Sequence, residues 1–203
     1  MTSQTFLFGK ILKKYKISKK DIYDLNKTYK NTYDSLNSFG HRLAGRLNSE
    51  LEFTKILETT TIFPKLCKCI TDYINEYEKM IDVPFPHKAF EIIGCWINDM
   101  KEGEYNPPHT HHDGSGWSTV LFLEVPEFCD NIKGENYKHK FKDGQLGFRG
   151  PKSSTQWFKP KVGDFYIFEA DHVHSVMPFK TNPPNKIRRS MSFNFVLKDP
   201  SVK

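Results

Sequence analysis

Pro108-His109-Thr110-His111-His112-Asp113 packs three histidines and a carboxylate into a short run, and another histidine, His174, follows much later beside a β-rich stretch. Neutral imidazoles and carboxylates are donors for first-row divalent metals. Two histidines and one carboxylate on neighbouring strands hold one face of an Fe(II) ion and leave the opposite positions open. In an extended segment, residues i and i+2 project together. His109 with His111 is therefore one candidate pair, and His111 with Asp113 is another. We read His111, Asp113 and His174 as the metal ligands, with His109 as the alternate ligand. His172 is the competing distal histidine, and Asp113 beside Gly114 also fits a turn.

A second cluster lies near the end of the sequence, at Arg188-Arg189-Ser190-Met191-Ser192. Strand alternation places Arg188, Ser190, Ser192 and Asn194 on one face. Arg189, Met191, Phe193 and Phe195 fall on the other. A guanidinium pairs bidentately with a carboxylate, and a serine hydroxyl adds a directed hydrogen bond. Arg188 and Ser190 thus read as a grip for a carboxylate-bearing small molecule. A plain basic pair on an edge strand is the competing reading.

The elements that must position these residues differ in texture along the chain. Residues 1 to about 90 carry helix-like patterns. Ser18-Lys19-Lys20-Asp21 is a capped helix start. Glu50 to Leu57 and Leu66 to Ile81 read as helices, the second because Leu66, Cys69, Ile70, Tyr73, Ile74 and Tyr77 recur at intervals of three and four. Pro84 and Pro86 end that pattern. From Ala89 onward short strands take over: Phe90–Met100, Trp117–Val125, Leu146–Arg149, Asp164–Phe168 and Arg188–Leu197, with Gln156–Phe158 leading into a turn. Such a series implies a sandwich or barrel. The stretch from Glu127 to Phe158 reads as a long insert with a role in substrate selection.

These residues reach a family resemblance. Trp96 to Leu123, Gly163-Asp164-Phe165-Tyr166-Ile167-Phe168, His174-Ser175-Val176-Met177-Pro178 and Arg188 to Asn194 resemble the 2-oxoglutarate- and Fe(II)-dependent dioxygenases. The nearest likeness is to their prolyl- and lysyl-hydroxylase-like branch, with its small phage, viral and bacterial members. That family's order is HxD, a distal His, then Arg-x-Ser. Here His111-His112-Asp113, His174 and Arg188-Arg189-Ser190 resemble these elements in turn. Two departures stand out. His109 offers a competing HxH, and the interval from His174 to Arg188 is longer than is common in the family.

The resemblance implies a mainly β fold with a helical N-terminal part: a double-stranded β-helix (jelly-roll, cupin-like) core with supporting α-helices. It covers roughly residues 90 to 198. We therefore divide the chain into a helical support region, 1–88, and a catalytic core, 89–203, within one integrated domain. The implied cofactor is Fe(II), with 2-oxoglutarate and O2 as cosubstrates. The implied activity is hydroxylation coupled to decarboxylation of 2-oxoglutarate to succinate and CO2. Arg188 and Ser190 would hold the far carboxylate of 2-oxoglutarate. Tyr105, Asn98 and Ser118 flank the expected site and are further candidates for cosubstrate contact. Gly40-His41-Arg42-Leu43-Ala44-Gly45 is expected either to shape the site or to form a dimer contact.

Composition narrows the setting. The chain has 203 residues, a formal net charge of +6 and 17 phenylalanines, enough aromatic content to build a core and argue against disorder. Lysines crowd residues 10–20 and 138–161, a pattern that weakly suggests nucleic acid or another acidic partner, though a solvated surface explains it as well. Cys67, Cys69, Cys95 and Cys129 form no CxxC pair, which fits reduced thiols in a cytoplasmic protein. No leader-like segment and no run of about 18 apolar residues is apparent, so no membrane association is expected. The expected substrate is a small molecule, peptide or protein. Competing classes are a cupin-like metal protein, such as an isomerase or sugar-binding module, and a non-catalytic β-barrel binding protein. The Arg-x-Ser pair argues against the cupin-like class, which has no need of it on the last strand.

Overall fold

A computed structural model describes residues 2–7, 9–85, 89–111, 115–129 and 143–198. It is mainly β, with two antiparallel sheets and a small number of helices. The larger sheet has seven strands: β1 (Ser3–Leu7), β2 (Ile11–Lys16), β3 (Glu50–Glu52), β4 (Phe90–Met100), β6 (Trp117–Glu124), β9 (Asp164–Glu169) and β11 (Arg188–Leu197), in the order β1-β2-β9-β6-β11-β4-β3. The smaller has β5 (Asn106–His109), β7 (Leu146–Arg149), β8 (Thr155–Phe158) and β10 (His174–Val176), in the order β5-β10-β7-β8.

Alternation along the large-sheet strands divides the interior into two layers. Leu121 and Leu123 of β6, Phe165 and Ile167 of β9, and Met191, Phe193 and Phe195 of β11 pack on one face. There they meet Ile22, Leu25 and Tyr29 of α1 (Lys19–Thr32) and Leu66, Ile70, Tyr73 and Ile74 of α3 (Phe63–Ile81). Val120, Phe122, Tyr166 and Phe168 point the opposite way, toward Leu146, Phe148, Phe158 and Val176 of the small sheet. Burying each of these large side chains contributes about 1.5–3 kcal/mol before entropy is counted. Val120, Leu146 and Val176 of this inner layer also line a cavity that holds Arg188.

The expected capped helix is present. Ser18 Oγ accepts from the Asp21 backbone N–H at 3.2 Å, and Lys65 of α3 pairs with Asp21 at 2.6 Å, tying the two helices together. Two parts of the helical reading of residues 1–90 need correction. The lysine-rich Ile11–Lys16 is a strand, not part of a helix, because both of its faces are used. Ile11 and Tyr15 enter the helix-facing core, and Leu12 enters the inner layer. Lys13 is buried against Asp72 and Glu76 of α3, while Lys14 and Lys16 pair with Asp164 at 2.9 and 2.8 Å. Much of the N-terminal lysine run is thus matched by internal carboxylates.

The second correction concerns Glu50–Leu57. Its first three residues form β3, paired with β4 as Glu50↔Asn98, Leu51↔Ile97 and Glu52↔Trp96. Only Thr54–Leu57 is helical, as α2. Pairing with an exposed sheet edge overrides the local helix preference. β5 was not expected either. Its Pro107 and Pro108 are tolerated because it is an edge strand of the small sheet.

Candidate metal and cosubstrate site

The histidines are brought together by sheet pairing. His109 ends β5 and lies directly opposite His174, the first residue of β10, with ring centroids 4.2 Å apart. His111 follows two residues later, and its backbone N–H donates to Ala170 O at 2.8 Å just beyond β9. Its Nε2 stands 3.1 Å from His174 Nε2. One ligand atom from each of His109, His111 and His174 falls within 4.8 Å of the others. The expectation that His109 and His111 share a direction thus holds in the structure. Asp113 lies outside the described residues. His172 turns away from the cluster, its Nε2 placed 3.0 Å from Arg149 O.

Backbone carbonyls set the tautomers. His109 Nδ1 is 2.7 Å from Pro107 O, and His174 Nδ1 is 2.9 Å from His172 O. A carbonyl only accepts, so both Nδ1 atoms carry the proton and both Nε2 atoms present a lone pair. Burial holds the His109 and His174 pKa values below the ordinary range, His174 well below it, and takes His111 down to about 3. The rings are therefore neutral near pH 7, the form that ligates a metal.

The wall facing them is built by the large sheet. Arg188, Ser190, Ser192 and Asn194 of β11 and Asn98 and Met100 of β4 line the same cavity as His109, His111 and His174. Arg188 is 2% exposed, and burial lowers its pKa to about 9. Its Nη1 lies 3.1 Å from Met100 Sδ, its guanidinium sits 4.7 Å from the Phe122 ring centroid, and its Nε has no partner. No carboxylate among the described residues pairs with it. A buried guanidinium left this way is costly unless an anion arrives. Arg189 is on the other face, where Asp99 receives bonds of 2.6 and 2.8 Å from Nε and Nη2, and Tyr29 stacks at 4.6 Å. Arg188 is thus the arginine free to hold a ligand carboxylate.

The remaining candidates separate. Asn98 lines the cavity with its Oδ1 buried and unpartnered. Ser118 is fully buried within β6, away from the lining. Tyr105 is 41% exposed and outside the lining; its carbonyl accepts from Arg46 N–H at 2.9 Å. Leu43, Ala44 and Gly45, from the segment expected to shape the site or a dimer, do line the cavity. Sequence reasoning missed Glu50 and gave Trp96 no part in the site. Both face the cavity, and only the β3–β4 register could have revealed Glu50.

Residues 94–194 match the family described as "Putative 2OG-Fe(II) oxygenase", a span that takes in the cavity residues on β6 and β11, those on β4 apart from Ile93, and all three clustered histidines. The chain belongs to the 2-oxoglutarate- and Fe(II)-dependent oxygenases. It is an oxidoreductase that uses Fe(II), 2-oxoglutarate and O2, and the donor set above fits them: three neutral nitrogens for the metal and an unpaired guanidinium for a dicarboxylate. No curated protein matches the sequence.

Similar solved structures include a prolyl-4-hydroxylase from Pseudomonas putida, at 13% identity over 93% of each chain and a TM-score of 0.62. A prolyl hydroxylase from Trichoplax adhaerens, in complex with a hypoxia inducible factor oxygen degradation domain peptide fragment, aligns at 12% identity over 90% of this chain and 83% of that one (TM-score 0.57). The viral collagen prolyl hydroxylase of Paramecium Bursaria Chlorella virus-1, in its 2OG complex, aligns at 13% identity over 91% and 94% (TM-score 0.56). At these identities the likeness concerns the fold.

Proposed function

We propose that this oxygenase is a hydroxylase whose iron rests on His109, His111 and His174, with the far carboxylate of 2-oxoglutarate on Arg188 and Ser190. The carrying observation is the convergence of three neutral histidine nitrogens opposite a buried, unpaired guanidinium in one cavity. When bound, iron and 2-oxoglutarate supply the oxidising power for C–H cleavage. The residues supply orientation: carbonyl-locked imidazoles, a guanidinium that fixes one end of the cosubstrate, and aromatic walls that limit water.

The antiparallel sheets facing one another across the cavity support a double-stranded β-helix core. The entry of β1, β2 and β3 into the large sheet supports one integrated domain in place of a detachable helical region. The substrate is read as a peptide, protein or small molecule; internal pairing of the N-terminal lysines weakens the case for nucleic acid. No helix among the described residues is long and apolar enough to cross a membrane. Four free thiols favour a reducing, cytoplasmic setting.

The test is an anaerobic titration with Fe(II) and 2-oxoglutarate, followed by admission of O2. A visible charge-transfer band and then succinate are expected; neither appearing would sink the reading. His109→Ala against Asp113→Ala decides the ligand set. Loss of iron in the first variant and its retention in the second is the expected result.

A further inference from the structure

We propose that this site takes a substrate bearing a cationic nitrogen, such as an ammonium or guanidinium group, and that Glu50 is the residue that recognises it. The proposal rests on the oxygenase reading and names the substrate class for the same cavity.

Glu50 is 4% exposed and lines the cavity of the histidines and Arg188. Among the described residues its carboxylate has neither a hydrogen-bond partner nor an ion-pair partner. A buried carboxylate in that condition is costly and gains most from an incoming cation. Its surroundings strengthen the point. Asn106 Oδ1 is also buried without a partner and also lines the cavity. Both oxygens press on the same glycine: a Cβ on Gly45 would lie 2.5 Å from Asn106 Oδ1 and 2.7 Å from Glu50 Oε1. Gly40 lies on the other side, where a Cβ would sit 3.0 Å from Glu50 Oε2. The Asn106 amide can rotate to present its NH2, so the fixed sign of the pocket comes from Glu50. Trp96, stacked on Phe39 at 5.4 Å, forms an aromatic wall of the same cavity, a surface that also favours cations.

The position of Glu50 separates it from the cosubstrate end. Glu50, Asn98 and Ser190 form one cross-strand row over β3, β4 and β11. They share a face of the sheet, with Glu50 about 10 Å from Ser190 at two strand spacings. Arg188 is two residues further along β11. Glu50 and Arg188 form no ion pair with each other, so one cavity holds an unpaired cation and an unpaired anion apart. The cation suits the dicarboxylate cosubstrate, and the anion is left for the substrate. Burial and the nearby Glu104 raise the Glu50 pKa to about 7, a shift that a bound cation would reverse.

The experiment uses the full chain loaded with Mn(II) and N-oxalylglycine, titrated by calorimetry with capped tripeptides. Gly-Lys-Gly and Gly-Arg-Gly are set against the same peptides carrying norleucine and citrulline. At least one basic peptide should bind tenfold or more tighter than its neutral counterpart, and Glu50→Gln should bring that ratio close to one. Equal affinities, or no measurable binding by any member, overturn the proposal, as does a preference that survives in Glu50→Gln. The wild-type comparison stands by itself should the variant not fold. A missing preference in a preparation that shows the Fe(II)–2-oxoglutarate band overturns only the cation assignment. A missing band overturns the cosubstrate reading with it.

Discussion

Arg188 and Arg189 are adjacent on one strand and equally hidden from water, yet their environments are opposite. Arg189 faces the helices, where Asp99 supplies a two-point carboxylate and Tyr29 a ring. Arg188 faces the cavity beside a thioether and a phenyl ring, with its Nε unpaired. The difference separates two uses of a buried charge. On the helical side the protein supplies the counter-ion, so the pair specifies packing. On the cavity side it withholds the counter-ion, so the charge is left open to a ligand. Glu50 repeats the second arrangement with the opposite sign.

The comparison can be broken most severely at the histidines, the part of the cavity without which a reserved charge has no chemistry to serve. His174→Ala should abolish iron retention, measured as metal content after desalting, and reduce succinate formation at least about 100-fold, since losing a ligand should exceed the 10–100-fold typical of its supporting partners. Iron content at the wild-type level would refute the assignment of His174.

The two arginines should then fail in different ways. Arg189→Ala strands Asp99 and should lower stability by about 3–5 kcal/mol, read from denaturant unfolding. Arg188→Met removes an unpaired buried charge, so stability should hold or rise, while the KM for 2-oxoglutarate rises at least about tenfold, the equivalent of about 1.4 kcal/mol. Swapped phenotypes would invert the assignment of the two faces.

The smallest expected effect is a pH slope at Glu50. Its folded pKa of about 7 lies above its ordinary 4.5. Between those values the folded state binds more protons than the unfolded one, so wild-type stability falls as pH rises through that window. Below 4.5 the group is protonated in both states and contributes no slope. Glu50→Gln should remove this loss, at most about 3 kcal/mol, visible as a gap between the two Tm-versus-pH curves that opens from pH 4.5 to 7. Parallel curves would show that Glu50 has a partner in solution.

How much was legible in the sequence depends on whether the signal was local. The faces of β11 were readable because strand periodicity is a property of consecutive residues: Arg188 and Ser190 separated from Arg189 and Met191 before any fold was known. His109 and His111 were readable as a co-directed pair for the same reason. The helix start at Ser18 was readable because a cap is satisfied within three residues. Lysines at positions 13, 14 and 16 gave no sign of a strand, since their counter-charges are Asp72, Glu76 and Asp164.

By itself, then, the sequence determined the chemistry available: imidazoles at i and i+2, a distal histidine, and an arginine and serine on one strand face, in the order of an iron and 2-oxoglutarate site. Tertiary structure decided which groups meet. Pairing of β5 with β10 set His109 against His174, the two faces of the large sheet gave Asp99 to Arg189 and left Arg188 alone, and pairing of β3 with β4 drew Glu50 out of a helix-like segment into the cavity. Each of these is a contact between distant residues. Its energy comes from burial and cross-strand hydrogen bonding that exist only after the chain has closed on itself, so no local pattern in the sequence encodes it.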